Sequence, residues 1–233
     1  LVVNSHPYLT SSLLGPALAD LLVEYPQLRF TARQSYWREV EPLLLEDEID
    51  IYFGMPPDAQ HVDIEYRLLE LPSPLILCRA SHKLAAQKFV TLAEMIKYPV
   101  VTPIAPAWFV QWAMTQVDEL NDPVDVNNLV VLESDSIALV KTVTKEFEAL
   151  TGCLPSEVVS EIQSGELQVL TLKDWPNRMY GCVATRRSRA VSPAAELLID
   201  RIHQSVQTAL AQAAELPRSG NDKTPPIRVF ASI

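Results

Sequence analysis

Short apolar runs alternate with amphipathic stretches from the first residue onward, and few folds accommodate that rhythm. Residues 1–4 read as a strand, Ser5-His-Pro-Tyr8 as a turn, and Leu9 to about Glu24 as a helix with Leu14, Leu18, Leu21 and Leu22 on its apolar face. Residues 28–33 form a second strand. Residues 36–47 form a second helix, in which Pro42 is expected to mark the first turn, and residues 49–54 form a third strand. Strand, helix, strand, helix, strand at these spacings gives a parallel doubly wound sheet. The rhythm breaks at Pro72-Ser-Pro74, where strands 64–71 and 75–79 follow one another without a helix. Such a break implies that the chain crosses into a second lobe.

A second β/α series follows, with helices at 91–97 and 107–117 and strands at 99–102 and 129–132. Ser134 is expected to cap a helix whose Ile137, Val140, Val143 and Phe147 share one face. The stretch 150–170 is a unit of its own. A strand runs into Leu154, Pro155 opens a helix with Val158, Val159 and Ile162 on one side, Gly165 stops it, and a strand follows from Leu167. Residues 175–178 look like the return crossing. After a strand at 179–185, Ser192-Pro193 caps a last helix that buries Ala195, Leu198, Ile199, Ile202, Val206 and Leu210. The expected domains are residues 1–71 plus 178–210 for lobe I and 74–175 for lobe II. A poorly ordered tail is expected over 216–233.

With 233 residues, 48% of them hydrophobic, the chain has enough apolar surface for substantial cores. Its net charge of −10 and lack of any basic run argue against a surface that binds nucleic-acid phosphates. No apolar run is long enough for a membrane span. Three scattered cysteines, Cys78, Cys153 and Cys182, sit inside apolar runs and fit buried thiols in a reducing cytoplasm. No dinucleotide, P-loop, zinc-protease or nucleophile-elbow motif occurs, so no catalytic residue, metal or cofactor is assigned. Of the histidines only His6 falls at a strand end, while His82 and His203 read as surface residues. Because the chain opens directly on a strand, it reads as an excised domain.

The candidate binding residues are those at the carboxyl ends of strands, where open α/β sheets take their ligands. In the first lobe these are Ser5, His6, Pro7, Tyr8, Gln34 and Met55. In the second they are Thr102, Pro103, Ile104 and Ala105, with Phe147 as an apolar wall. The ligand expected there is a small anion, met by helix N-termini and hydroxyls.

Five stretches in order resemble the effector-binding domain of LysR-type transcriptional regulators. They are Leu13 to Pro26, Leu44-Leu-Glu-Asp-Glu-Ile-Asp-Ile-Tyr-Phe-Gly54, Leu71 to Ala85 with its Ser-His-Lys-Leu-Ala ending, Leu150 to Leu170, and Arg186-Arg-Ser-Arg-Ala-Val-Ser-Pro-Ala-Ala-Glu-Leu-Leu-Ile-Asp200. The resemblance spans about residues 1–204. It implies a two-lobed α/β fold of the type 2 periplasmic-binding-protein class, with two crossover strands and an inducer in the cleft. It also implies a DNA-binding winged helix-turn-helix on a part of the protein that this chain lacks. Homodimers paired through the first helix, and homotetramers in the full-length protein, are further implications. Leu13, off the main apolar stripe, is a candidate for that pairing surface. Two departures from the family pattern leave the inducer unassigned: Phe147-Glu-Ala-Leu-Thr151 replaces the glycine-rich form, and Pro103-Ile-Ala-Pro-Ala-Trp108 lacks the usual Thr and Arg. A periplasmic solute-binding protein of the same fold is the alternative, and the sequence preceding Leu1 distinguishes the two.

Overall fold

The computed structural model describes residues 1–57, 59–104, 107–118, 128–172, 174–175, 178–216 and 221–222. The expected tail from 216 therefore lies largely outside the described residues. The chain divides into two compact units, the first holding Leu1–Pro72 and Arg178–Ala214 and the second holding Ser73–Asn177.

The first unit opens with β1 (Val2–Ser5), α1 (Pro7–Leu9), a π-turn over Thr10–Leu14 and α2 (Gly15–Glu24). It continues with β2 (Thr31–Gln34), α3 (Trp37–Leu45), β3 (Ile51–Gly54) and β4 (Ile64–Pro72). The second unit comprises β5 (Leu75–Arg79), α4 (Leu92–Met95), β6 (Val100–Pro103), α5 (Ala107–Asp118), β7 (Val130–Ser134), α6 (Ile137–Glu146), β8 (Leu150–Cys153), a 3₁₀ turn at Pro155–Glu157, α7 (Val159–Gln163), β9 (Leu167–Leu170) and β10 (Asp174–Trp175). β11 (Arg178–Arg186) and α8 (Pro193–Ala214) return to the first unit, and β12 (Asn221–Asp222) pairs with β10.

Both five-stranded sheets are mixed rather than wholly parallel. The first has the order β2-β1-β3-β11-β4, with β1 parallel to its neighbours and β11 antiparallel to both β3 and β4. The second has the order β7-β6-β8-β5-β9, with β6 parallel to β7 and β8, and β5 antiparallel to β8 and β9. Parallel pairing needs a crossover, usually a helix, packed on the same sheet. β5 and β11 each follow a change of unit and have no such helix behind them.

Alternation along the strands feeds a core on each face. In the first unit Val40, Leu44, Ile49, Tyr52, Ile64, Cys182 and Ala184 form one cluster beneath α3. On α2 and α8, which pack together, Ala17 and Leu21 are buried alongside Leu198, Ile202 and Val206. Ser205 Oγ donates to Leu13 O across that contact. In the second unit Ile76 and Cys78 belong to one cluster and Leu77 to the other, as the period of two requires.

Several local expectations are corrected. The first helix begins at Pro7, not Leu9, and its π-turn inserts a residue that rotates the rest of the helix about its axis. Leu13 is thereby fully buried and Leu22 turns out to solvent. Pro42 lies inside α3, because the helix starts five residues earlier, where the Tyr36 N–H donates to Glu39. Ser136, not Ser134, caps α6 by accepting from the Leu139 N–H. The helix at Pro155 is split into a 3₁₀ turn and a short α-helix, which leaves Val159 exposed. Gly165 does end it, at φ +73°, with the Glu166 N–H returning to Glu161 O. His82 is buried, with its ring against Tyr98.

Tyr52 is fully buried and its ring curls back over Gly54, where an added Cβ would lie 2.0 Å from the ring. Gly54→Ala is expected to destabilise the protein by about 1–3 kcal/mol, as overpacking does. In a double-mutant cycle the effects of Gly54→Ala and Tyr52→Val should be less than additive, because the shorter side chain removes the clash. Full additivity by thermal melting would rule out the contact as the cause.

Candidate functional site

Parallel pairing of β1, β2 and β3 sets their carboxyl ends side by side, with Ser5 opposite both Gln34 and Phe53. The chain beyond β1 is held tightly. The His6 N–H donates to Phe53 O at 2.9 Å, and the Ser35 N–H donates to Ser5 O at 3.0 Å. Asn4 Nδ2 donates to Ser35 Oγ at 3.0 Å. Ser5 itself has no exposed surface, and its hydroxyl lies 2.6 Å from Thr10 Oγ1. Thr10 Oγ1 in turn donates to His6 O at 3.1 Å. Ser5 was readable from sequence as a ligand residue, yet its side chain is covered by Thr10.

His6 caps α1, with Nδ1 accepting the Tyr8 N–H at 3.2 Å. An acceptor nitrogen carries no proton, so the neutral ring holds its hydrogen on Nε2. Burial pushes the imidazole pKa down to about 4 and keeps it neutral at physiological pH. The ring meets Tyr36 edge-on, with centroids 5.1 Å apart. Pro7, Tyr8 and Met55 are buried beside it, while Gln34 is exposed at the end of the edge strand.

In the second unit β6 and β7 place Thr102 opposite Glu133 and Pro103 opposite Ser134. Thr102 Oγ1 donates to Pro103 O at 2.9 Å. Pro103 is buried, Ile104 is half-buried, and Ala105 lies outside the described residues. Ser134 Oγ accepts from the Ser136 N–H, so the loop after β7 adds two hydroxyls to this end of the sheet. Phe147 does not join them. It follows the carboxyl end of α6 and is 47% exposed, two residues before Ala149 and near the Leu150 N–H that donates to Pro99 O at the start of β6. The helix face continued past its true end in the sequence pattern, but the backbone turns extended at Phe147. Sequence reading missed Thr10 and Ser136. Thr10 begins a π-turn, for which hydrophobic spacing carries no signal.

Among the described residues no group of His, Cys, Asp and Glu could hold a metal ion, and no helix is long and apolar enough to cross a membrane. The three cysteines are free and buried, and burial pushes the thiols of Cys78 and Cys153 up to about 12.

Two mixed α/β units, with the chain passing from one to the other and back, define the two-lobed class of the type 2 periplasmic-binding-protein-like fold. Within that class this chain belongs to the LysR substrate binding domain family, whose model matches residues 1–207. It is 26% identical over 205 residues to the SDS degradation transcriptional activation protein of Pseudomonas sp. (strain ATCC 19151), covering 84% of this chain and 63% of that protein. A structure of a putative transcriptional regulator from Vibrio parahaemolyticus superposes with a TM-score of 0.75 at 15% identity, over 91% of this chain and 96% of that one. The Synechocystis PCC6803 CcmR regulatory domain in complex with 2-PG gives 0.71 at 17% identity, over 89% and 97%.

The depressed pKa of His6 gives acid sensitivity of a definite sign. The unfolded chain binds a proton below about 6.5 while the folded one resists it down to about 4. Stability is therefore complete above 6.5 and falls between 6.5 and 4, by a total on the order of 3 kcal/mol. His6→Asn, which retains an N-cap acceptor, should flatten that part of the pH–stability curve. Identical curves for the two proteins in urea melts would show that His6 does not titrate in this way.

Proposed function

We propose that this chain is the effector-sensing part of a DNA-binding transcriptional regulator located in the cytoplasm, with DNA contacted by a part of the protein outside this chain. The family match over residues 1–207 carries the reading. The chain covers less than two thirds of its activator relative, which leaves room there for a further domain. The net charge of −10 agrees with a segment that does not itself bind duplex DNA. The reading assigns no catalytic step to this chain.

The effector is a small anion taken at the strand ends of the first unit, beside His6, Pro7, Tyr8, Gln34 and Met55. Chemistry elsewhere in the family supports an anion. The CcmR regulatory domain was solved with 2-PG, and the name of the activator relative refers to SDS, itself a sulfate ester anion. A ligand that binds only the native state at a hundred times its Kd adds about 2.7 kcal/mol of stability. Screening small carboxylates, phosphates and alkyl sulfates by thermal shift should therefore yield at least one that raises the melting temperature by several degrees. A screen in which only cationic or uncharged compounds do so would contradict the anion reading.

Open sheet edges support self-association. All four residues of β2 are exposed, and on the adjoining α2 Leu22 and Val23 are 44% and 83% exposed. β7 is the matching edge of the second sheet, with Val130, Val131 and, on α6, Leu139 turned to solvent. An open edge strand flanked by apolar side chains invites pairing with another copy. The proposed state is a homodimer, and a tetramer in the full-length protein. Sedimentation at tens of micromolar should show a dimer that Val23→Glu or Val131→Glu converts to monomer. A wild-type monomer would count against it.

A further inference from the structure

The chain passes between its two units at Pro72–Ser73 and again at Asn177–Arg178, and among the described residues it does so a third time, at Ala214–Glu215. This third passage lies beyond the family match, which ends at residue 207. Pro217 follows α8 closely and cannot continue it, and Gly220 precedes the next described element, β12. In β12, Asn221 lies opposite Asp174 and Asp222 opposite Trp175, and the two strands run parallel. β10 has no other neighbour in its sheet. A parallel pair requires a long connection, which β11 and α8 supply.

Asn and Asp are poor strand formers, and a two-stranded ribbon is marginal by itself. What makes β10 a template is the way it is fixed. Trp175 is buried with Ile76, Leu150, Leu170 and Leu172, and its indole N–H donates to Pro74 O at 3.0 Å. That bond ties the end of the second unit to its beginning. On the other side of the crossings Arg178 pairs with Pro72. The tail therefore docks on the strand to which both crossings are already secured. Residues 215–220 connect α8 to β12, and an extended chain of that length spans at most about 25 Å. While β12 is docked, the end of α8 cannot lie farther than that from β10.

We propose, beyond the effector-sensing reading, that the open edge of β10 is the docking site of this chain's own C-terminal segment, Asn221–Asp222. Once docked, the segment is a releasable strap that limits movement between the two units.

Disulfide trapping tests the docking, because the cysteines already present are free and buried. Asp174→Cys is combined in turn with Ser219→Cys, Asn221→Cys or Lys223→Cys, and each pair is oxidised with diamide. Residues in register across a strand pair stand at disulfide distance, so the Asn221 pair should close fastest. Equal rates for the three pairs would show a tail without fixed register and overturn the docking site. The strap is tested by hydrogen exchange at Ser73, Leu75 and Arg178, without any ligand. The oxidised Asp174→Cys/Asn221→Cys protein is compared with Asn221→Pro/Asp222→Pro, whose prolines have no N–H to give to β10. Exchange at the crossings should be about fivefold faster in the proline variant, the change that one net hydrogen bond makes to a local opening equilibrium. Amides of β1 and β8 should exchange alike in both. Equal exchange at the crossings would overturn the strap.

Discussion

The first unit depends on the pairing of β11. Its nine residues run antiparallel to β4 in unbroken register, from Arg178 opposite Pro72 to Arg186 opposite Ile64, and its middle pairs with β3. Without it β3 would be an open edge and β4 would have no neighbour in the sheet. Because β11 is separated from β4 by the whole second unit, this sheet closes only after that unit has been traversed. Contacts so distant in sequence carry a high loop-closure cost, which the buried Cys182, Val183 and Ala184 on β11 help to offset. The same strand delivers α8, whose Ile202 and Val206 are buried and whose Ser205 and Arg201 bond to Leu13 O and Glu24. In this way the far end of the chain holds the first helix and, through it, the turn that carries His6 and Thr10.

Three histidines repeat one local device. His6, His61 and His82 each accept, through Nδ1, the backbone N–H two residues further on. The imidazole stands in for the Asn or Asp of an Asx-type turn and fixes its own tautomer in doing so. At His61 the ring is partly exposed, and at His82 it is buried against Tyr98. Only at His6 does the device lie at the carboxyl end of a parallel strand, where ligands of open α/β sheets bind. The tautomer of the residue is thus set locally and its place at a strand end is set by topology.

Much of the framework was legible in the sequence because it rests on local rules. Strands β4 and β5 and the break between them could be read from apolar runs and from Pro72 and Pro74, since a proline has no N–H to give to a continuing strand ladder. Gly165 was legible because only a left-handed residue ends α7 in that way. Ser192 was legible as a cap, and the Ala195 N–H does donate to its hydroxyl. Residues whose environment depends on other elements were misjudged. His82 looked like a surface residue because no local pattern shows Tyr98 approaching it. Phe147 was placed on a helix face because periodicity gives no sign of where the last turn unwinds.

What the sequence determined by itself was the two-lobed α/β plan and the family to which the chain belongs, because hydrophobic period, proline placement and short motifs are properties of neighbouring residues. The tertiary structure decided the antiparallel insertion of β5 and β11, since strand direction is set by the path of the connecting chain. It also decided which hydroxyl at the end of β1 faces outward. Ser5 and Thr10 are both small polar residues beside a helix start, and nothing in their identities ranks one above the other. The π-turn folds Thr10 back over Ser5, and packing of Leu13 and Leu14 into the core holds that turn in place. Exposure of a side chain is the result of every element packed around it, which no stretch of sequence contains.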